Sequence, residues 1–171
     1  AQVRRILDAG LQPTHLDTHK HTHLLPPVLD AVARISEECK IPWVRRPFDF
    51  PMAYNGVPWA RRATSAALST LRGRFGRILA KRGCRSTDHF AGFQITDRYT
   101  SADLARLIGA LPQGTTEFMC HPGVCTAELR SAPTRLKERR ENELRALTST
   151  AVRAALAQHD VELVSYRSLS V

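Results

Sequence analysis

Four of the chain's seven histidines fall within nine residues, at His15, His19, His21 and His23, with Asp17 among them. Neutral imidazole is the commonest protein ligand for divalent metals, and a nearby carboxylate can bind metal or orient a ring. All five residues carry odd numbers, so an extended backbone puts Asp17, His19, His21 and His23 on one face. Neighbours on that face lie about 6.5–7 Å apart in an ideal strand. With metal–nitrogen bonds near ~2 Å, two of them share an ion only if the backbone bends. The stretch therefore predicts one or two metal ligands, the remaining side chains facing substrate or supporting the ligands. The competing reading is a polar loop whose histidines hydrogen-bond to backbone. Imidazole with carboxylate suits Zn, Co, Ni, Mn or Fe.

A second chemical position lies far downstream. The run Phe118-Met-Cys-His-Pro-Gly123 places His121 at a strand end, where the Pro-Gly turn holds the ring outward as a general acid or base. Its alternative is a turn histidine with no role. Cys120 alternates with His121 and is expected to point into packing, not to serve as a nucleophile. Arg45 and Arg46 end another short strand and are candidates for substrate contact, against a reading as solvated surface arginines.

These positions need elements to hold them. Residues 2–9 read as a helix, with Val3, Ile6 and Leu7 at helical spacing and Gly10 as its C-cap glycine. Strands are expected at 14–18, 42–46, 87–92, 115–120 and 161–166. Helices are expected at 26–40, at 60–82 as one long element, from a Ser101 N-cap to Leu111, and at 134–157 with a break near Thr148. Residues 47–58, with three prolines and a glycine, read as loop. The alternation of strand and helix predicts an α/β fold of mostly parallel strands. In such folds ligands sit at the carboxyl ends of strands, where both histidine positions fall.

The 171 residues suit one domain, with 43% hydrophobic residues, too many for a disordered chain. No apolar run is long enough to span a bilayer. Cys39, Cys84, Cys120 and Cys125 form no CxxC pair, which argues against a zinc knuckle and for a reduced, cytoplasmic protein. The net charge is +9, and residues 61–85 carry eight basic residues and no acid. On a helical wheel Leu68, Leu71, Phe75, Ile78 and Leu79 share one arc, with Arg74, Arg77 and Lys81 opposite. That segment is either an outer helix with a solvated basic face or a docking surface for an anionic membrane. Aromatic residues are few and no nucleic-acid reader motif occurs, so no nucleic-acid partner is expected.

Several of these runs resemble the YdjC-like carbohydrate deacetylases. His15-Leu-Asp-Thr-His-Lys-His-Thr-His23 is similar to that family's first histidine signature, and Met119-Cys-His-Pro-Gly123 to its later motif. Asp88-His-Phe-Ala-Gly92 and Arg140-Glu-Asn-Glu-Leu-Arg-Ala-Leu147 sit where similar family segments lie. Trp43-Val-Arg-Arg-Pro-Phe-Asp49 resembles the hopanoid-biosynthesis-associated branch. The resemblance implies a distorted (β/α) barrel, incomplete here, and removal of an N-acetyl group from an amino sugar with one divalent metal, zinc or magnesium. It implies His19 as a metal ligand and His121 as proton donor to the leaving amine. Asp17, His21, His23, Arg45 and Arg46 then contact substrate or support the ligands. The implied substrate is an N-acetylated amino sugar or glycolipid, in the branch an N-acetylglucosamine head on a hopanoid. The family opens with an Asp-Asp-Phe-Gly strand and then a Gly-x-His strand, which give the other metal ligands and the base. Neither occurs in this chain, so it is expected to match the family's C-terminal two-thirds as a single domain over residues 1–171. By itself it is then expected to be weak or inactive. The alternative is a non-catalytic metal- or membrane-binding fragment.

Overall fold

The computed structural model describes residues 1–52 and 56–170; the loop expected at 47–58 thus lies partly outside the described residues. The chain divides into two compact units. One comprises Ala1–Phe48, Ala66–Asp88 and Val164–Val171, the other Asp49–Ser65 and His89–Leu163.

In the first unit, helix α1 (Gln2–Asp8) ends as expected. Gly10 takes φ +75, a left-handed value that a Cβ disfavours, and its N–H closes on the Leu7 carbonyl. Strand β1 (His15–Leu16) pairs in parallel with β2 (Trp43–Val44), His15 opposite Trp43. Trp43 also makes an isolated parallel bridge with Arg85. Helix α2 (Pro26–Cys39) connects the strands; prolines at its first turn cost no intrahelical hydrogen bond. The expected single helix over 60–82 is instead two, α3 (Trp59–Ser69) and α4 (Arg72–Ala80). Glycines at 73 and 76 weaken helix propensity just beyond the break. Phe75 and Leu79 of α4 are buried against Leu29, Ala33, Val44 and Phe48. Phe48 and Phe75 meet edge to face at 5.3 Å. Each such side chain contributes roughly 1.5–3 kcal/mol by burial. Arg74, Arg77 and Lys81 are exposed, as the wheel predicts.

In the second unit, β3 (His89–Ala91) pairs in parallel with β4 (Thr116–Phe118). Asp49 bridges Phe90 on β3. Helix α5 (Ser101–Gly109) is capped by Thr100, not by the expected Ser101. The Thr100 hydroxyl accepts from the Asp103 N–H and the Asp103 carboxylate accepts from the Thr100 N–H, a reciprocal capping box. The helix expected over 134–157 is α7 (Glu138–Leu147) followed by α8 (Thr150–Gln158), whose N-cap Ser149 marks the break. A short α6 (Ala127–Ser131), which the sequence pattern did not suggest, precedes them. Leu104, Leu107 and Ile108 of α5 bury against Ala146, Val152 and Ala155.

All four named strands are shorter than expected, two or three residues each. The strand expected at 161–166 does not form. It has no ladder partner among the described residues, and Leu163 and Val164 are 79% and 50% exposed. A run of β-favouring residues is only a strand when a neighbour takes its backbone groups. The fold class is α/β with parallel strands. None of the described helices is long and apolar enough to cross a membrane.

Candidate functional site

The histidine run does not stay extended. After β1 it folds into a 3₁₀ turn over His19–Leu24, with Lys20 and His21 at φ 54 and 55. The period-2 ladder therefore breaks, and the expectation of one shared face for Asp17, His19, His21 and His23 is overturned. His19 is exposed, whereas His21 and His23 are buried. His23 is wholly inaccessible: Nδ1 meets the Thr18 hydroxyl at 2.6 Å and Nε2 meets the Arg45 carbonyl at 3.0 Å. Its ring lies 5.7 Å from that of Phe75. His23 thus anchors the turn to the end of β2 and the α4 core. The backbone-bonded reading holds for this residue.

Arg45 leaves the end of β2 and pairs with the exposed Asp17. Arg46 donates to the Asp88 carbonyl. Burial first and the Arg72 charge next lower the Arg46 pKa, with Asp88 opposing them. Both arginines are thus engaged within the first unit. His15 stacks on Tyr166 at 4.1 Å and borders a cavity of about 400 Å³ lined also by Gln12, Thr14 and Arg167.

Among the described residues no three His, Cys, Asp or Glu side chains are gathered so as to hold a metal ion. His23 has both ring nitrogens engaged, and the Asp17 carboxylate faces Arg45. His19 is the exposed histidine of the run, so it offers one ligand position among the described residues.

The second unit builds its histidine differently. Gly92 follows β3 with φ +132, and a Cβ there would lie 2.5 Å from the Met119 carbonyl oxygen. Only glycine lets the two strand ends approach so closely. The Met119 N–H donates to the Ala91 carbonyl at 2.9 Å, extending the parallel pairing up to the His121 turn. Helix α7 then grips the His121 peptide from both sides. The Glu143 carboxylate accepts the His121 N–H, and Arg140 Nη1 donates to the His121 carbonyl at 3.4 Å. Arg140 and Glu143, three apart, lie on one helix face. Glu143 is 1% exposed. Its Oε1 also accepts the Asp97 N–H at 2.7 Å and the Thr96 hydroxyl at 3.3 Å. Thr96 Oγ1 in turn lies 3.0 Å from His121 Nδ1.

Beside this network the Asp97 side chain is fully inaccessible at its carboxylate. Four guanidinium groups surround it: Arg139 at 3.1 Å, Arg98 at 3.3 Å, Arg61 at 3.6 Å and Arg135 at 3.7 Å. A carboxylate this buried requires such pairing. Arg61, one of the eight basic residues counted over 61–85, thus serves the interior of the second unit, with further bonds to the Gln94 and Thr96 carbonyls. Burial first and the Glu143 charge next push the Tyr99 hydroxyl far above its ordinary pKa, so it stays protonated. Asp49 accepts the Phe93 and Gln94 N–H groups; burial raises its pKa and those bonds oppose the rise.

Sequence reasoning missed Thr96, Asp97 and Glu143. One signal was available for Glu143: a carboxylate on a helix otherwise rich in arginine, three residues after Arg140, within a run already singled out. Asp97 carries no spacing signal at all. The four cysteines are free thiols; Cys125 is buried and the others partly so.

Residues 1–158 match the family model described as YdjC-like protein. Curated relatives include a carbohydrate deacetylase from Homo sapiens, 31% identical across 98% of this chain and 59% of its own length. Another, from Geobacillus stearothermophilus, is 30% identical across 98% of this chain and 56% of its own. A solved structure from Enterococcus faecalis, described as a candidate cellobiose-phosphate cleavage protein, superposes with TM-score 0.68 at 19% identity, covering 99% of this chain and 58% of that one. That likeness concerns the fold. The chain spans under 60% of the length of each of these relatives.

Proposed function

Starting from a chain that belongs to the YdjC-like protein family, we propose that the protein hydrolyses an N-acetyl group from an amino sugar, with His121 as its proton donor. The observation that carries this reading is the double hold of Glu143 and Arg140 on the His121 peptide at the end of β4. General acid catalysis needs a ring fixed to within a fraction of an ångström, and this hold fixes the backbone that carries it. The names of the curated relatives support sugar deacetylation as the reaction.

His19 is the metal ligand this chain contributes, in keeping with its exposure. The chemistry a divalent ion, zinc or magnesium, supplies when bound is activation of a water and polarisation of the amide carbonyl. The chain's own part in bond cleavage is His121, which gives its proton to the nitrogen as the C–N bond breaks.

The finer substrate we propose is an N-acetylglucosamine head on a hopanoid lipid. Its support is the Trp43–Asp49 resemblance together with the exposed Arg74, Arg77 and Lys81 of α4, suited to an anionic membrane surface. The second reading, for the 171 residues alone, is a non-catalytic metal- or membrane-binding fragment.

The test is acetate release from an N-acetylglucosamine oligosaccharide, by the chain expressed with whatever coding sequence lies upstream in frame. Chelator-sensitive release, lost in His19→Ala, is expected. Unchanged metal-dependent release in that variant contradicts the ligand assignment. Sedimentation with anionic and neutral vesicles tests the membrane surface; equal binding to both removes the electrostatic argument.

A further inference from the structure

The contacts around His121 also constrain where its ring proton sits. Glu143 accepts two backbone N–H groups, from His121 and Asp97, on different oxygens. A carboxylate so engaged is an acceptor only. The Thr96 hydroxyl, 3.3 Å from Glu143 Oε1, must therefore be the donor in that contact. A hydroxyl has one hydrogen. Having given it to Glu143, Thr96 Oγ1 can only accept from His121 Nδ1, 3.0 Å away. The ring's donor at that contact is thus Nδ1–H.

We infer that Glu143 and Thr96 form a carboxylate–hydroxyl–imidazole relay that keeps the proton of neutral His121 on Nδ1, which makes them positioning residues for that histidine. Free imidazole side chains have no such constraint, since which nitrogen is protonated is set by the bond the other makes. With Nδ1–H fixed, Nε2 is the nitrogen that takes up and releases a proton. In the imidazolium form the Nε2 proton passes to the departing amide nitrogen, and the ring returns to the neutral Nδ1–H form. The relay follows the logic by which a carboxylate orients a catalytic histidine, with a hydroxyl inserted between the two. Burial of Glu143 strengthens it, because few water molecules can compete for its oxygens. Its catalytic meaning rests on the reading of His121 as proton donor; its geometry does not.

The experiment is long-range ¹⁵N–¹H correlation NMR of the 171-residue chain, at a pH where the His121 ring is neutral, with His121→Gln giving the assignment. The expected result is a dominant Nδ1–H tautomer. Thr96→Val, which keeps the shape and removes the hydroxyl, is expected to shift His121 toward Nε2–H. Thr96→Ser is expected to retain Nδ1–H. A dominant Nε2–H tautomer in the unsubstituted chain overturns the relay outright, even if every variant fails to fold. So does an unchanged tautomer in Thr96→Val. Acetate release by His121→Gln, in the chain expressed with its upstream in-frame coding sequence, separates the two proposals. Full activity there removes the catalytic reading and leaves the tautomer result standing, whereas an Nε2–H tautomer with an inactive His121→Gln removes the relay alone.

Discussion

The two histidine regions of the molecule invert their prominence in the sequence. The run from His15 to His23 is dense in potential ligands, yet it spends His23 on the fold, with both ring nitrogens hydrogen-bonded and the side chain wholly buried. His121 stands alone in its run, yet the second unit ties its peptide at both ends and holds its ring Nδ1 against Thr96. Density of a residue type singles out a region for chemistry in the sequence. The packing and hydrogen bonds around each residue decide which member does chemistry.

Substitutions should separate the two regions by size of effect. Glu143→Ala is expected to be the most damaging, because it strands the His121 and Asp97 N–H groups and the Thr96 hydroxyl together. Each buried unsatisfied group costs about 1–3 kcal/mol, so a loss of about 3 kcal/mol or more is expected by urea denaturation. A loss below about 1 kcal/mol would mean that water or neighbouring groups replace it, and that α7 does not fix the His121 turn.

In the first unit, His23→Ala is expected to cost about 2–3 kcal/mol, through two lost hydrogen bonds and the space left beside Phe75. His19→Ala, at an exposed position in the same turn, is expected to stay within about 0.5 kcal/mol in the absence of metal. Equal losses at the two positions would erase the division of labour within the run.

The smallest effect concerns the α5 cap. Burial alone would raise the Asp103 pKa, but its bonds to Thr100 and the Arg106 charge outweigh that and hold it below the ordinary carboxylate value. A group depressed in the folded state stabilises above its unfolded pKa, near ~4, and loses that contribution as pH falls through its folded value. Asp103→Asn should therefore melt lower than the unsubstituted chain at pH 7, with the gap closing in melts taken below about pH 4. A gap that stays constant with pH would remove the charge from the cap.

Much of the fold was legible. Helix α2, the wheel of α4 and the break near Thr148 follow from apolar spacing and cap residues, which are local. What failed was non-local. Strand lengths depend on partners, so residues 161–166 read as a strand from composition and have no ladder among the described residues. The histidine ladder failed because Lys20 and His21 take left-handed backbone that no periodicity reveals. Asp97 escaped notice because its arginines come from positions 61, 98, 135 and 139, brought together only by folding.

The central claim is that His121, and not a buried member of the histidine run, moves the proton. The direct measurement is kcat for acetate release from an N-acetylglucosamine oligosaccharide, comparing His121→Gln with the unsubstituted protein, both expressed with the upstream in-frame coding sequence, under identical metal loading. A fall in kcat of roughly 10²–10⁴-fold with the fold intact by circular dichroism is the expected result for loss of a general acid. Turnover within a few-fold of the unsubstituted protein would contradict the account.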